Sequence, residues 1–112
     1  HVSYPGLKMH PSYPNVQKYF KNGAGAVLSF TLKGDRSTTA QFVERLQLIT
    51  HLTNVGDNKT LIAHPASTTH GQMTDRELET AGIGSGTLRL AAGIEHIEDL
   101  KADLQQSLRS CP

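Results

Sequence analysis

The chain has 112 residues, of which 37% are apolar and 19% are charged. This length and composition are typical of one globular domain that buries a core of its own. A formal net charge of +1 without a basic cluster argues against nucleic-acid binding. The absence of a long apolar run or a signal-peptide pattern argues against a membrane partner, and the single cysteine, Cys111, excludes an internal disulfide. Together these features predict a cytoplasmic protein.

The first third of the chain predicts a helix followed by a strand. Ser12 is the expected helix N-cap, and Gly23 is placed to end the helix. The residues that share one face of this helix are Val16, Tyr19 and Phe20. Residues 26–33 then alternate in side-chain character, which predicts a half-buried strand. The side chains on one face of that strand are Ala26, Leu28, Phe30 and Leu32.

Two capping boxes predict helices in the middle of the chain. Thr38 with Gln41 opens the second helix, and Thr74 with Glu77 opens a short helix that Gly82 ends. The apolar stripe of the second helix consists of Phe42, Val43, Leu46 and Ile49. Between these helices, residues 54–57 predict a loop, and residues 60–63 predict a strand stopped by Pro65.

A strand and a long helix are predicted at the end of the chain. Residues 87–92 form the strand, and residues 97–109 form the helix. One face of the strand carries Leu88, Leu90 and Ala92, and the other carries Arg89 and Ala91. The helix stripe consists of Ile97, Leu100, Leu104 and Leu108. The fold class is therefore α+β, a small sheet with helices against one face, and the strand order stays open.

Arg89 is the principal candidate for ligand binding. A guanidinium among Leu88, Leu90 and Ala91 requires an anionic partner if it is buried. Arginine is a planar, permanently charged donor, which suits a substrate carboxylate better than lysine does. Two other interpretations stay open: an internal salt bridge to Glu95 or an Asp, and exposure on the solvent face of the sheet.

Other polar motifs have simpler interpretations. Asn54 lies in an Asn-Val-Gly-Asp segment that favours a turn. His64 and His70 lack zinc-site spacing and a cysteine partner, which argues against a metal site. Ser67 near His70 has no nucleophile-elbow motif around it. The glycines of residues 82–86 precede a strand rather than a helix, so they indicate turns and not a phosphate-binding loop.

Five segments, in order, resemble the Cys/Met-metabolism family of pyridoxal-phosphate (PLP) enzymes. They are Val-x-Tyr-Pro-Gly-Leu (2–7), Gly-x-Gly-Ala-Val-Leu-Ser-Phe (23–30), Asn-Val-Gly-Asp (54–57), His-Pro-Ala-Ser-Thr-Thr-His (64–70) and Leu-Arg-Leu-x-x-Gly-Ile-Glu-His-Ile-Glu-Asp-Leu (88–100). Many relatives carry Ser at the position of Asn54 and often Met at that of Thr68, so these residues favour the O-acetylhomoserine sulfhydrylase branch. Ala91 departs from the Ser that relatives often carry.

The resemblance implies a fold and a site. The fold is the C-terminal domain of fold-type I PLP enzymes, a small, mostly antiparallel sheet with helices packed on one face. The residue matching Arg89 binds the α-carboxylate of the amino-acid substrate. The position matching Asn54 lies at the same carboxylate, and the position matching Thr69 supports the pocket.

The resemblance also implies that residues 1–112 are the substrate-binding domain of a larger enzyme. PLP and its Schiff-base lysine would belong to an N-terminal domain that is absent here, so this chain would hold no catalytic residue, cofactor or metal. The chain begins at His1 without an initiator methionine, which fits a piece of a larger protein or a trimmed leader. The isolated chain is therefore expected to be inert.

The implied activity of the intact protein is that of a transferase in methionine biosynthesis. It would make homocysteine from O-acetylhomoserine and sulfide, and it would assemble as a homotetramer. One alternative within the family is methionine γ-lyase or a cystathionine synthase or lyase. A second alternative is a stand-alone, non-catalytic module that binds a small ligand or a protein.

Overall fold

In a computed structural model, residues 1–111 form an α+β domain. The strands are β1 (Val2–Ser3), β2 (Val27–Thr31), β3 (Thr50–His51), β4 (Leu61–Ala63) and β5 (Thr87–Ala91). The α-helices are α1 (Tyr13–Tyr19), α2 (Arg36–Glu44), α3 (Asp75–Thr80) and α4 (Ile97–Arg109), and Pro65–Ser67 forms a 3₁₀ turn. Among these residues, no helix has both the length and the apolar character needed to span a bilayer.

The five strands form one mixed sheet in the order β1-β2-β5-β4-β3. Strand β5 lies at the centre and pairs antiparallel with both β2 and β4. Strand β1 is antiparallel to β2, whereas β3 runs parallel to β4. The sheet is therefore mostly antiparallel, and the predicted α+β class is confirmed.

The core lies between one face of the sheet and the helices α2 and α4. Phe42 of α2 is fully buried and meets Phe30 of β2 edge to face, with ring centroids 6.2 Å apart. The apolar side chains of this core are Leu28, Phe30, Leu32, Phe42, Val43, Leu46, Ile49, Ile62, Leu88, Leu90, Leu100 and Leu104. Because β5 is central, its Leu88 and Leu90 sit in the middle of that core.

The first helix is shorter than predicted. It ends at Tyr19, because Phe20 already has an extended backbone. Val16 is buried, but Tyr19 and Phe20 are 66% and 60% exposed, so the predicted apolar face is wrong for these two residues. Ser12 occupies the N-cap position without a side-chain capping bond. Gly23, with φ of 121°, serves the turn into β2 and does not end the helix.

The start of α2 also differs from the prediction. Asp35 is the N-cap, and its carboxylate accepts a hydrogen bond of 2.8 Å from the Thr38 amide. Thr38 therefore lies inside the first turn, and the predicted capping box with Gln41 is wrong. The helix ends at Glu44, so two members of its predicted stripe, Leu46 and Ile49, lie in the following turn. The capping box of Thr74 and Glu77 on α3 is confirmed.

Helix α4 has the predicted bounds but a different buried face. Leu100 is buried, whereas Ile97 and Leu108 are exposed. Asp103 and Ser107 take their place on the buried side, because α4 packs against the end of α2, where backbone groups lack partners within the helix. The Ser107 hydroxyl donates to the Phe42 carbonyl at 2.5 Å. The last strand ends one residue before Ala92, which is exposed.

Candidate carboxylate-binding site

Arg89 lies at the middle of the central strand, on the face opposite α2 and α4. Its neighbours on this face are Ser29 of β2 and Ala63 of β4, which pair with it directly across the sheet. Alternation along β5 places Leu88 and Leu90 in the core and therefore turns Arg89 away from it. Both cross-strand partners of Arg89 therefore have small side chains.

The guanidinium of Arg89 is only partly satisfied. One terminal nitrogen, Nη2, donates to the carbonyl of Thr53. The Nε atom is buried and has no hydrogen-bond partner within residues 1–111. Glu95 does not pair with it, because both Glu95 oxygens bind Thr60. The open interpretation of an Arg89–Glu95 salt bridge is therefore excluded, and Nε stays without a partner on a half-buried arginine.

The contact with Thr53 connects Arg89 to the loop that carries Asn54. Residues 53–59 join β3 to β4 and are exposed, and the loop that the sequence predicted over residues 54–57 lies within this segment. Asn54 follows Thr53 directly, so the backbone of Asn54 lies next to the guanidinium. The backbone at Asn54 thus lies beside Arg89, while no hydrogen bond within residues 1–111 joins the Asn54 side chain to Arg89.

The other end of the loop is held by a hydrogen-bond cluster that sequence reasoning missed. Thr60 is fully buried, and both its amide and its hydroxyl donate to Glu95 at 2.6 Å. The Thr60 hydroxyl oxygen also accepts from the Gly93 amide at 2.8 Å. The available signal was the Gly-Ile-Glu sequence at residues 93–95, shortly after β5, where a glycine permits close backbone approach.

Thr69 lies apart from these groups. It follows the 3₁₀ turn at the end of β4, and it is exposed. Its hydroxyl lies 2.8 Å from Nδ1 of His70. In the stretch from His1 to Cys111, no hydrogen bond joins Thr69 to Arg89 or Asn54. A role for Thr69 in the pocket stays a prediction.

The turn before Thr69 is organised by a buried histidine. His64 is fully buried, with Nε2 2.8 Å from the Ser85 carbonyl and Nδ1 2.8 Å from the Ser67 hydroxyl. Because a carbonyl only accepts, Nε2 donates and Nδ1 accepts the serine proton. Burial lowers the pKa of His64, which favours this neutral form. Ser67 therefore pairs with His64 and not with His70, and the pair shapes the turn.

Among residues 1–111, no lysine is placed to form the Schiff base that PLP chemistry requires. Schiff-base chemistry requires a lysine held in a shielded pocket, but all the lysines of this chain are exposed. They are Lys8, Lys18, Lys21, Lys33, Lys59 and Lys101. Within residues 1–111 there is also no group of three or more His, Cys, Asp or Glu side chains placed to hold a metal ion. Arg89 is the positively charged group that a carboxylate could pair with at this site.

Several known proteins align with this chain over nearly its full length. O-acetyl-L-homoserine sulfhydrylase 1 of Thermus thermophilus is 52% identical over 96% of the chain, and homocysteine synthase of Schizosaccharomyces pombe is 51% identical over 96%. L-methionine gamma-lyase of Fusobacterium nucleatum is 45% identical over 96%. The chain spans about a quarter of the length of these relatives (25% of the first two and 27% of the third).

Solved structures agree with this similarity. An O-acetylhomoserine (thiol)-lyase from Campylobacter jejuni, which contains pyridoxyl-lysine phosphate, superposes with a TM-score of 0.84 at 43% identity, covering 97% of this chain and 26% of that one. Cystathionine gamma synthase from Xanthomonas oryzae, in complex with aminoacrylate and cysteine, gives 0.81 at 41% identity, covering 97% and 28%. The family model for Cys/Met metabolism PLP-dependent enzymes matches residues 1–109, and the chain belongs to that family.

Proposed function

We propose that residues 1–112 are the C-terminal, substrate-carboxylate-binding domain of an O-acetylhomoserine sulfhydrylase. The intact enzyme would make homocysteine from O-acetylhomoserine and sulfide. The observation that carries this proposal is the incompletely paired guanidinium of Arg89 beside the loop of Asn54. The identity of 52% to the Thermus sulfhydrylase supports this branch of the family.

In this proposal Arg89 binds the substrate α-carboxylate through its free N–H donors. Charge-assisted hydrogen bonds of this kind contribute roughly 1.5–3 kcal/mol each. Asn54 would add a neutral amide donor from the adjacent loop, and Thr69 would support the pocket from the turn after β4. Two donors on separate elements would orient the carboxylate and, with it, the bonds at Cα.

These residues position the substrate and do not transfer a proton. PLP supplies the electron sink on which the chemistry of this family depends. Because the lysines of this chain are exposed, we propose that an N-terminal domain outside it binds the cofactor and that the chain alone is inert. We further propose a homotetrameric, cytoplasmic enzyme whose light-scattering mass is four times that of the full-length subunit.

The test is a comparison of substrates with the full-length enzyme. We expect the highest kcat/KM for O-acetylhomoserine with sulfide, measured as homocysteine formed. O-succinylhomoserine with sulfide, methionine alone and O-acetylhomoserine with cysteine are the competing reactions. Faster turnover of any of these would replace the sulfhydrylase assignment, while loss of all four would reject the family activity for this protein.

A second candidate function is methionine γ-elimination or cystathionine chemistry at the same carboxylate site. It is favoured by the identity of 45% to the Fusobacterium methionine gamma-lyase and by the TM-score of 0.81 with the Xanthomonas cystathionine gamma synthase. Arg89 would have the same role in these reactions, because all of them act on amino acids. The substrate comparison separates the candidates.

A further inference from the structure

We propose that Glu95 is a positioning residue for the carboxylate site, because it anchors the loop 53–59 that brings Asn54 to Arg89. This inference rests on the proposed role of Asn54 and Arg89 in substrate binding. Glu95 itself would touch neither the substrate nor Arg89. It would act through Thr60, the first residue after the loop.

The anchor consists of short hydrogen bonds around one buried residue. Glu95 Oε1 accepts from the Thr60 amide and Oε2 from the Thr60 hydroxyl, each at 2.6 Å. The Thr60 hydroxyl oxygen accepts from the Gly93 amide at 2.8 Å, and the Thr60 carbonyl accepts from the Thr50 amide at 3.1 Å. The amide, hydroxyl and carbonyl of Thr60 are thus all engaged, and Glu95 receives two of these bonds.

The carboxylate form of Glu95 is the form that this arrangement requires. Both oxygens must accept, and an ionised carboxylate is an acceptor at each. The Thr60 hydroxyl, followed by the Thr60 amide, lowers the pKa of Glu95, so both hydrogen bonds favour the ionised form. Glutamine would place an amide NH2 donor where one carboxylate oxygen now accepts, so it could not replace both oxygens as acceptors from Thr60.

Backbone contacts beside Glu95 extend the anchor into the loop. The Ile94 amide donates to the Asn58 carbonyl at 2.9 Å. A Cβ atom built on Gly93 would lie 2.6 Å from the Lys59 carbonyl carbon and would also collide with the Asn58 carbonyl oxygen. Residues 93–95 therefore approach the loop more closely than any other residue type at position 93 would allow.

The two ends of the loop are held by different groups. At its start, the Leu52 amide donates to the Ile62 carbonyl at 3.1 Å, and Arg89 donates to the Thr53 carbonyl. At its end, Glu95 and residues 93–94 hold residues 58–60. Without the contacts at residues 58–60, the loop would be held only at its start, and Asn54 would be more mobile. Ordering Asn54 on substrate binding would then cost more free energy, so the substrate would bind more weakly.

The experiment is a double-mutant cycle in the full-length holoenzyme, using whichever amino acid the enzyme turns over best. Glu95→Ala should raise KM about 10-fold and change kcat less than about 2-fold. The reason is that the loop is proposed to bind the substrate equally in the ground state and in the transition state. In an Asn54→Ala background, Glu95→Ala should raise KM less than about 2-fold further, because the loop no longer carries the donor. If Glu95→Ala folds poorly, Glu95→Gln replaces it in the test. Its KM should lie between the wild-type value and the increase expected for Glu95→Ala.

A hydrogen-exchange measurement and a control variant separate this inference from a purely structural effect. Hydrogen exchange of the amides in residues 53–60 should increase in Glu95→Ala but not in Asn54→Ala. Glu98→Gln, a matched control that removes an exposed carboxylate from the first turn of α4, should leave both KM and exchange unchanged.

The outcomes are distinct. An unchanged KM in Glu95→Ala, or the same increase in KM with and without Asn54, would overturn the role of Glu95. If Asn54→Ala and Arg89→Ala both leave KM unchanged, the proposed function itself fails. If Arg89→Ala raises KM but Asn54→Ala does not, the carboxylate site stands and the Glu95 inference fails.

Discussion

Polar side chains on the sheet and in its loops differ in how fully the fold satisfies them. His64 has a partner for each ring nitrogen, and Thr60 uses its amide, hydroxyl and carbonyl. Arg89 has only the Thr53 carbonyl for Nη2 and none for its buried Nε. Buried donors are generally paired, so the unpaired Nε of Arg89 is the observation on which the proposed ligand site rests.

We expect Arg89→Ala in the full-length enzyme to lower kcat/KM for the amino-acid substrate about 10²- to 10⁴-fold, because two charge-assisted hydrogen bonds are lost. The visible absorbance of bound PLP should be unchanged, since Arg89 is proposed to bind the substrate and not the cofactor. Arg89→Lys keeps the charge but not the planar fork, and it should recover only part of the loss. Wild-type catalytic efficiency in Arg89→Ala would reject the assignment.

At the scale of elements, one carboxylate joins α4 to the turn after α2. Asp103 accepts from the amides of Gln47, Leu48 and Ile49 at 2.8, 2.9 and 2.8 Å. Burial acts to raise the pKa of Asp103, but these amide bonds outweigh it, and the pKa lies below its ordinary value of 3.8. The turn therefore obtains its hydrogen-bond acceptors from a helix far along the chain.

We expect Asp103→Ala to lower the free energy of unfolding of the 112-residue chain by about 3–5 kcal/mol, because three amides lose a charged acceptor. Asp103→Asn retains one carbonyl and should cost about 2 kcal/mol. Urea unfolding monitored by circular dichroism measures both, with the exposed Asp99→Asn as the control. A wild-type value for Asp103→Ala would contradict this role.

The Asp103 carboxylate also makes the free energy of unfolding depend on pH in a defined direction. The pKa of Asp103 is lower in the folded state, so its stabilisation is fully present above its ordinary value of 3.8. It is lost as the pH falls from that value through the folded pKa. The difference in unfolding free energy between wild type and Asp103→Asn should therefore shrink below about pH 4. If this difference grew as the pH fell, the pKa of Asp103 would not be lowered in the folded state.

At the scale of the whole molecule, the two faces of the sheet are unequal. One face is covered by α2 and α4, whereas the other carries Arg89. Apolar side chains around the loop and the start of α4 are exposed: Leu52, Val55, Ile94 and Ile97. In the proposed full-length enzyme, we expect residues outside this chain to cover these side chains.

We expect the isolated 112-residue chain to bind the hydrophobic dye ANS more strongly than the full-length protein, compared per subunit. Ile94, which is 81% exposed, should contribute directly, so Ile94→Gln should reduce the dye fluorescence of the isolated chain. The Ile94 backbone bond to Asn58 does not depend on the side chain, and the fold should persist. Equal fluorescence of the two proteins would indicate that this surface stays exposed.

Local signals predicted most of the secondary structure. The Thr74–Glu77 capping box, the alternation through β2 and the bounds of α4 follow from residues within a few positions of one another. The predictions were wrong where another residue took the expected cap or buried position. Asp35 outcompeted Thr38 as the cap of α2, and Asp103 with Ser107 displaced Ile97 and Leu108 from the buried face of α4.

The sequence by itself determined the local elements, the family resemblance and Arg89 as the principal binding candidate, because each depends on short motifs. Only the tertiary structure decided the strand order, the central place of β5 and the partners of the site. Glu95 meets Thr60 across 35 positions and Arg89 meets Thr53 across 36, and no local pattern encodes such pairs. Which donor stays free depends on the folding of distant strands into one sheet.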